Sequence, residues 1–231
     1  MKVYYDLHIH SALSPCADDA MRPGDIARMA KLKGLDIISI VDHVCGKNIR
    51  VSKKVAEKNG LLFLPGIEIT ANNGAHLLGY FTDVEKAVEF SDIIYNSLEE
   101  SENTFAYFGN QYIIDGRDEV CGEAKKILSG HTPFSVWEVI GLAGEYGGII
   151  VPAHINREYQ GILAIEGSRI KEYNFNAVEV RKNLSMNYDI IKGSKVVYNS
   201  DAHILSVISE RENYIELKEK SVEAVFEYLL K

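Results

Sequence analysis

The stretch Val3-Tyr4-Tyr5-Asp6-Leu7-His8-Ile9-His10 constrains this chain more than any other. Its apolar residues read as a short strand. Because side chains alternate across a strand, His8 and His10 leave it on the same face. Two imidazoles converging on one point are the simplest way for a strand to offer a pair of neutral nitrogen ligands to a metal ion. A surface strand that carries two histidines by chance has the same pattern, so the remaining histidines and acids decide between the two.

With 231 residues, 46% of them hydrophobic and 25% charged, the chain has the composition of a soluble globular protein with a sizeable core. It shows no repeat, linker or low-complexity tract, so a single domain over 1–231 is expected, with a small hairpin insertion around 103–121. Apolar runs such as Gly60 to Gly66 and Gly147 to Ala153 fall well short of the roughly 18 residues that cross a bilayer. The N-terminus lacks the basic and apolar regions of a signal peptide, which points to a cytoplasmic protein without a membrane partner. Three cysteines, Cys16, Cys45 and Cys121, form no C-x-x-C pair, which argues against a disulfide framework and a thiolate zinc knuckle. Cys16 and Cys45 do stand near the candidate metal-binding segments. A net charge of −8 argues against long nucleic acid as a partner, although acids gathered around divalent cations would be neutralised locally. Oligomeric state is not legible.

Along the chain, Ile26 to Lys33 has the spacing of a helix ending at Gly34, and Leu35 to Val41 is an apolar, β-branched run expected of a strand covered on both faces. A polar helix is expected over Ile49 to Asn59, followed by Leu61 to Leu64, a Pro65-Gly66 break and Ile67 to Thr70. The Asn72-Asn73-Gly74 turn pairs that strand with Ala75 to Phe81, so that Glu68 and His76 face each other. Val84 to about Glu102 reads as an acidic amphipathic helix, and Phe105 to Ile114 as part of the hairpin insertion. Pro133 opens a helix reaching Tyr146. Strands then follow at Ile149 to Ala153, Ala177 to Val180 and Lys195 to Asn199, and a helix at Val222 to Leu230. This alternation predicts an α/β fold with a largely parallel sheet, whose ligands gather at the carboxyl ends of the strands.

Six of the seven histidines lie at or near the ends of these strands: His8, His10, His43, His76, His154 and His203. Glu68 and Asp201 join them. The motifs Asp6-Leu7-His8-Ile9-His10-Ser11, Val41-Asp42-His43, Pro65-Gly66-Ile67-Glu68-Ile69-Thr70, Ala75-His76-Leu77-Leu78-Gly79-Tyr80, Val151-Pro152-Ala153-His154 and Asn199-Ser200-Asp201-Ala202-His203 resemble, in order, those of the PHP domain family, named for polymerases and histidinol phosphatases. The resemblance implies a distorted (β/α)7 barrel of PHP type with two or three divalent metal ions. Carried over by position, His8, His10, Glu68 and Asp201 would hold one ion. Glu68 would bridge to a second held by His76 and His154, and His43 with His203 would hold the third. Such mixed ligands suit zinc, manganese or iron. One departure stands out: where the family places an aspartate or histidine, this chain has Pro15 and Cys16. Asp18 or Asp19 then becomes the candidate to reach the third ion, with Asp18 preferred.

The resemblance implies a metal-dependent phosphoesterase, a hydrolase acting on a small phosphate monoester through a metal-activated water. Glu68 and Asp201 would act with the ions, and Arg157 would bind the substrate phosphate through its planar guanidinium. The alternatives are a phosphodiesterase or 3′–5′ exonuclease on short nucleic acid, and a non-catalytic metal-binding module. Asp42 is a candidate to orient His43 or a neighbouring ligand, and Arg181 to face the pocket mouth or pair at the surface. His131 reads as a helix-start residue or a pocket-lining group. Phe105, Tyr107, Phe108 and Tyr112 lack interleaved basic residues and read as a packed hairpin rather than a base-stacking platform.

Overall fold

The computed structural model describes residues 1–100 and 109–231. In chain order its elements are β1 (Lys2–Ile9), α1 (Pro23–Leu32), β2 (Ile37–Ile40), α2 (Ile49–Lys58), β3 (Leu62–Phe63), β4 (Gly66–Thr70), β5 (His76–Tyr80), α3 (Val84–Ser97), β6 (Tyr112–Ile114), β7 (Val120–Glu123), α4 (Val136–Glu145), β8 (Ile149–Pro152), α5 (Ile162–Glu166), β9 (Ala177–Glu179), β10 (Lys195–Val197), β11 (Tyr214–Glu216) and α6 (Val222–Leu230). No helix among the described residues is long and apolar enough to cross a membrane.

The fold is mixed α/β, and its strands are less uniformly parallel than the sequence suggests. One sheet runs β11-β1-β2-β3, with β1, β2 and β3 parallel and β11 antiparallel to β1. A second, β4-β5-β8, is antiparallel throughout, and β9 and β10 form a parallel pair. The β8 segment reverses because the Asn72–Gly74 turn has already sent β5 back along β4. Hydrogen bonding among the described residues leaves these sheets separate, with isolated bridges Ile9↔Ala202 and His43↔Glu68 spanning two of the gaps.

Other expectations shift for local reasons. The helix expected from Val84 to Glu102 stops at Ser97, where Leu98 turns extended; its start is capped by the Asp83 carboxylate, which accepts from the amides of Glu85 and Lys86. The helix after Pro133 begins at Val136. Ser135 and Glu138 form a capping box that fixes the start, and Pro133 lies outside it. Within the stretch expected as an insertion, β6 and β7 pair as a hairpin turning at 115–119, whereas the expectation for Phe105, Tyr107 and Phe108 lies outside the described residues. In the β4–β5 pair Glu68 stands opposite Leu78 and His76 opposite Thr70. Glu68 and His76 are therefore diagonal neighbours on one face rather than directly opposed.

Packing fixes these strand ends. The side chains of β2 are all buried, as a strand covered on both faces requires. Gly66 permits β4 to approach β5 closely: a Cβ there would sit 2.5 Å from the Gly79 carbonyl oxygen and 2.9 Å from the Tyr80 ring. Tyr80 donates a hydrogen bond to the Leu7 carbonyl at 2.7 Å, tying β5 to β1 across the core.

Candidate metal centre

The carboxyl ends of β1, β4 and β8, the amino end of the antiparallel β5, and the loops after β2 and β10 deliver six imidazoles and two carboxylates to one point, all of them buried except the half-buried Asp201 and His203. His8 and His10 leave β1 on the same face, as the alternation requires, with their Nε2 atoms 3.1 Å apart. Each is oriented through its other nitrogen. His8 Nδ1 lies 2.9 Å from Glu179 Oε2, and His10 Nδ1 lies 3.0 Å from Ser14 Oγ. The Ser14 hydroxyl donates its proton to Asp42 Oδ1 at 2.7 Å, so it accepts from His10 Nδ1–H. With each Nδ1 engaged in this way, Nε2 is the nitrogen that each ring turns to the centre and would offer to a metal ion. Asp42 acts on His10 through Ser14, and it also accepts from the Ser11 amide and hydroxyl.

Glu68 is the hub. Its Oε1 lies 2.8 Å from His76 Nδ1, 3.3 Å from His154 Nε2 and 3.5 Å from His8 Nε2. Its Oε2 lies 3.0 Å from His43 Nδ1 and 3.3 Å from His10 Nε2. Asp201 Oδ1 sits 3.4 and 3.3 Å from the same His8 and His10 nitrogens, while His203 Nδ1 donates to the Asp201 carbonyl at 2.8 Å. That bond turns His203 Nε2 away from its own backbone, and the ring stacks on His10 with centroids 4.4 Å apart.

Three groups bring donor atoms within 4.8 Å of one another: His8/His10/Asp201, His43/Glu68/His76 and His10/His43/His203. The first holds three of the four residues expected at one ion, without Glu68, and the second joins His43, expected at the third ion, to the Glu68–His76 pair. Metal ions fit this donor set on two grounds. His43 Nδ1, Glu68 Oε2 and His154 Nδ1 are buried without a hydrogen-bond partner, which is costly unless another species satisfies them. The donors are imidazole and carboxylate throughout, as divalent transition ions prefer.

The fields in the cluster are strong. Burial disfavours charge on His8 and Glu68, but the carboxylates of Glu179, Glu68 and Asp201 outweigh it at His8 and raise its pKa, while His76, His8 and His43 outweigh it at Glu68 and lower its pKa. Burial likewise opposes ionisation of Asp201, and neighbouring His8 and His10 overcome it, holding the carboxyl well below its usual range. Three residues at or beside ligand positions have left-handed backbone: Val44 (φ 45°), His154 (φ 28°) and Asp201 (φ 53°). For a β-branched valine this is a marked outlier, and such strain concentrates at functional sites.

A pocket of about 500 Å³ opens over the cluster, and Arg157 and Arg181 lie on its wall. Their Nη1 atoms stand 3.1 and 3.7 Å from Asp201 Oδ2. Arg181 thus faces the pocket, anchored by a 2.6 Å bond to the Ser200 carbonyl.

Two expectations fail here. Asp18 is exposed, and its carboxylate accepts from the Ala20 amide at 2.8 Å, closing a local turn instead of entering the cluster. Asp19 accepts from the Asn110 side chain at 2.8 Å. The residue of this loop that reaches the site is Cys16, whose thiol interacts with His203 and His43; burial opposes its ionisation, but the two imidazoles lower its pKa to about 5. Cys45 is buried in the apolar core, which pushes its thiol up to about 12. His131 is exposed beside the Gly74 turn, outside the cluster. The sequence reading missed Glu179, which is fully buried. Besides orienting His8, it accepts from the His154 amide at 3.0 Å and from Asn199 Nδ2 at 2.7 Å. An acid at the end of the apolar run Ala177–Val180 was the available signal.

No protein-family profile matches the chain. Among curated proteins, it is 26% identical over 132 residues to a 5′–3′ exoribonuclease of Haemophilus influenzae, a match covering 48% of this chain and 46% of that protein. It is 30% identical over 71 residues to a 3′,5′-nucleoside bisphosphate phosphatase of Chromobacterium violaceum, covering 31% of this chain and 24% of that protein. The matches thus span less than half of either relative. Among solved structures, the lesion-specific endonuclease of Pyrococcus furiosus superposes with a TM-score of 0.72 at 20% identity, over 99% of this chain and 56% of that one. A candidate metal-dependent phosphoesterase of Bifidobacterium adolescentis gives 0.67 at 18%, over 98% and 95%. A two-domain Bacteroides vulgatus protein containing a PHP-like metal-dependent phosphoesterase gives 0.63 at 19%, over 99% and 62%.

Proposed function

We infer from the PHP-like metal-dependent phosphoesterase fold of this chain that it is a phosphoesterase hydrolysing a small phosphate monoester. The observation that carries this reading is the juxtaposition of a largely buried cluster of six imidazoles, Glu68 and Asp201 with two arginines on the wall of one pocket. His8, His10, Glu68 and Asp201 would hold one divalent ion, Glu68, His76 and His154 a second, and His43 with His203 a third. Zinc, manganese and iron all suit these donors. Ions bound there would lower the pKa of water and neutralise charge on phosphoryl oxygens. Arg157 and Arg181 offer planar guanidinium donors to the phosphate while Asp201 holds them in place. A pocket of about 500 Å³ accommodates a small metabolite. We further assign the separate sheets to one distorted (β/α)7 barrel around the cluster, on the support of the bridges Ile9↔Ala202 and His43↔Glu68.

Purified protein supplied with manganese or zinc is expected to release phosphate from a generic aryl phosphate and from members of a panel of phosphorylated metabolites that includes nucleoside bisphosphates. Arg157→Ala should raise KM more than it lowers kcat. Absence of turnover over the whole panel would overturn the proposal.

A second reading, hydrolysis of phosphodiesters in short nucleic acid, draws support from the exoribonuclease and endonuclease among the similar proteins. The net charge of −8 weighs against a long strand. Cleavage of short single strands with no release of phosphate from monoesters would favour this reading.

A further inference from the structure

The third ion position lacks ligands if His10 is counted once. His10 Nδ1 is committed to Ser14, so only Nε2 is free, and that nitrogen points at Asp201, Glu68 and His8. An imidazole nitrogen carries one ion at a time, so service in the His8/His10/Asp201 group removes His10 from the His10/His43/His203 group. His43 and His203 then remain as a pair; His43 Nδ1 faces Glu68 Oε2 at 3.0 Å, so Nε2 is the His43 nitrogen left for this position. Structural zinc sites take four protein ligands and catalytic ones typically three.

We propose that the Cys16 thiolate is the missing ligand, making a mixed sulfur and nitrogen site with His43 and His203. This rests on reading the cluster as a metal centre. The geometry that carries it is the loop. Turn bonds from Ala17 N to the Ser14 carbonyl (2.9 Å) and from Asp18 N to the His203 carbonyl (2.9 Å) place Cys16 between the two histidine-bearing segments. The opposite side is held by Gly109, where a Cβ would come within 2.2 Å of the Pro15 carbonyl oxygen, and by Asn110 on Asp19. Cys16 and the two imidazoles share the wall of the same pocket. Thiolate is a soft donor, so the site selects zinc or iron over manganese and magnesium. The other two positions, with imidazole and carboxylate alone, stay permissive.

Reconstitution with cobalt(II) tests this without reference to turnover. The wild-type protein is expected to show the near-ultraviolet thiolate-to-cobalt charge-transfer band, and C16A to lose it together with one tightly held zinc per chain. The zinc affinity of that position should fall by at least about 100-fold, the upper end of what outer partners of a metal site contribute. C16D should keep the ion without the band, and D18A should keep both. Because Cys16 is partly exposed, these variants are expected to fold, which their circular dichroism checks. A wild-type protein without the band, or loss of the ion in D18A but not in C16A, would overturn the proposal. Cobalt spectra are read whether or not any ester is hydrolysed, so an inactive protein that shows the band overturns the proposed activity and not this ligand.

Discussion

At the scale of single residues, the cluster's protonation sets the stability of the metal-free protein. For His43, burial opposes the charge, but Glu68 and Cys16 raise its pKa to about 10. A raised imidazole stabilises the fold fully below its ordinary value of about 6.5, and that contribution is lost as pH climbs through about 10. For His76, burial outweighs the pull of Glu68 and lowers the pKa to about 4. The unfolded chain then takes up that proton first, so stability is lost as pH falls from about 6.5 towards about 4. Urea midpoints measured with a chelator present should therefore decline on both sides of neutral pH; a flat profile would contradict these assignments. Glu179→Gln, which replaces the carboxylate partner of His8 Nδ1, should weaken metal affinity by about 10- to 100-fold, read by competition with a chromophoric chelator. The members of the candidate cluster were legible because histidines at strand ends stand out against an apolar run. Glu179 was not, since one acid in such a run has the same look as a solvated strand end. Cys16 and Asp18 were exchanged because turn bonds, not spacing, decide which side chain of a loop points inward.

At the scale of elements, β4 carries the design. Its one glycine start, Gly66, lets the strand lie against the Gly79 carbonyl and the Tyr80 ring, and that contact sets where Glu68 stands. Gly66→Ala is expected to cost about 1–3 kcal/mol through overpacking and to lower bound metal as well, measured by denaturant unfolding beside metal analysis. Unfolding unchanged within error would show that the β4–β5 contact yields. Ser135→Ala offers a contrast: it removes one half of the α4 capping box, costing about 1 kcal/mol, with metal content untouched. The positions of most helices and strands were readable from apolar spacing and turn residues. Strand direction was not, because β8 has the same β-branched composition whichever way it runs. Its antiparallel pairing with β5 is a consequence of the preceding hairpin.

For the whole molecule, ligands come from segments as far apart as His8 and His203, so ion binding and global folding are one equilibrium. An ion present at about 100 times its Kd adds roughly 2.7 kcal/mol, which for a chain of this size corresponds to about 5–10 °C in Tm. Thermal melts with and without chelator should show at least this difference, and equal melting temperatures would argue that no ion binds tightly. The left-handed backbone at Val44, His154 and Asp201 bears on how that binding proceeds. Backbone strained in this way persists only where the surrounding packing over-determines it, so the fold itself holds these three positions. The site behaves as a rigid mould, not a clasp that closes around its contents. Ions of different size should therefore be discriminated by fit, and exchange of one for another should proceed without any change in the far-ultraviolet signal of the backbone.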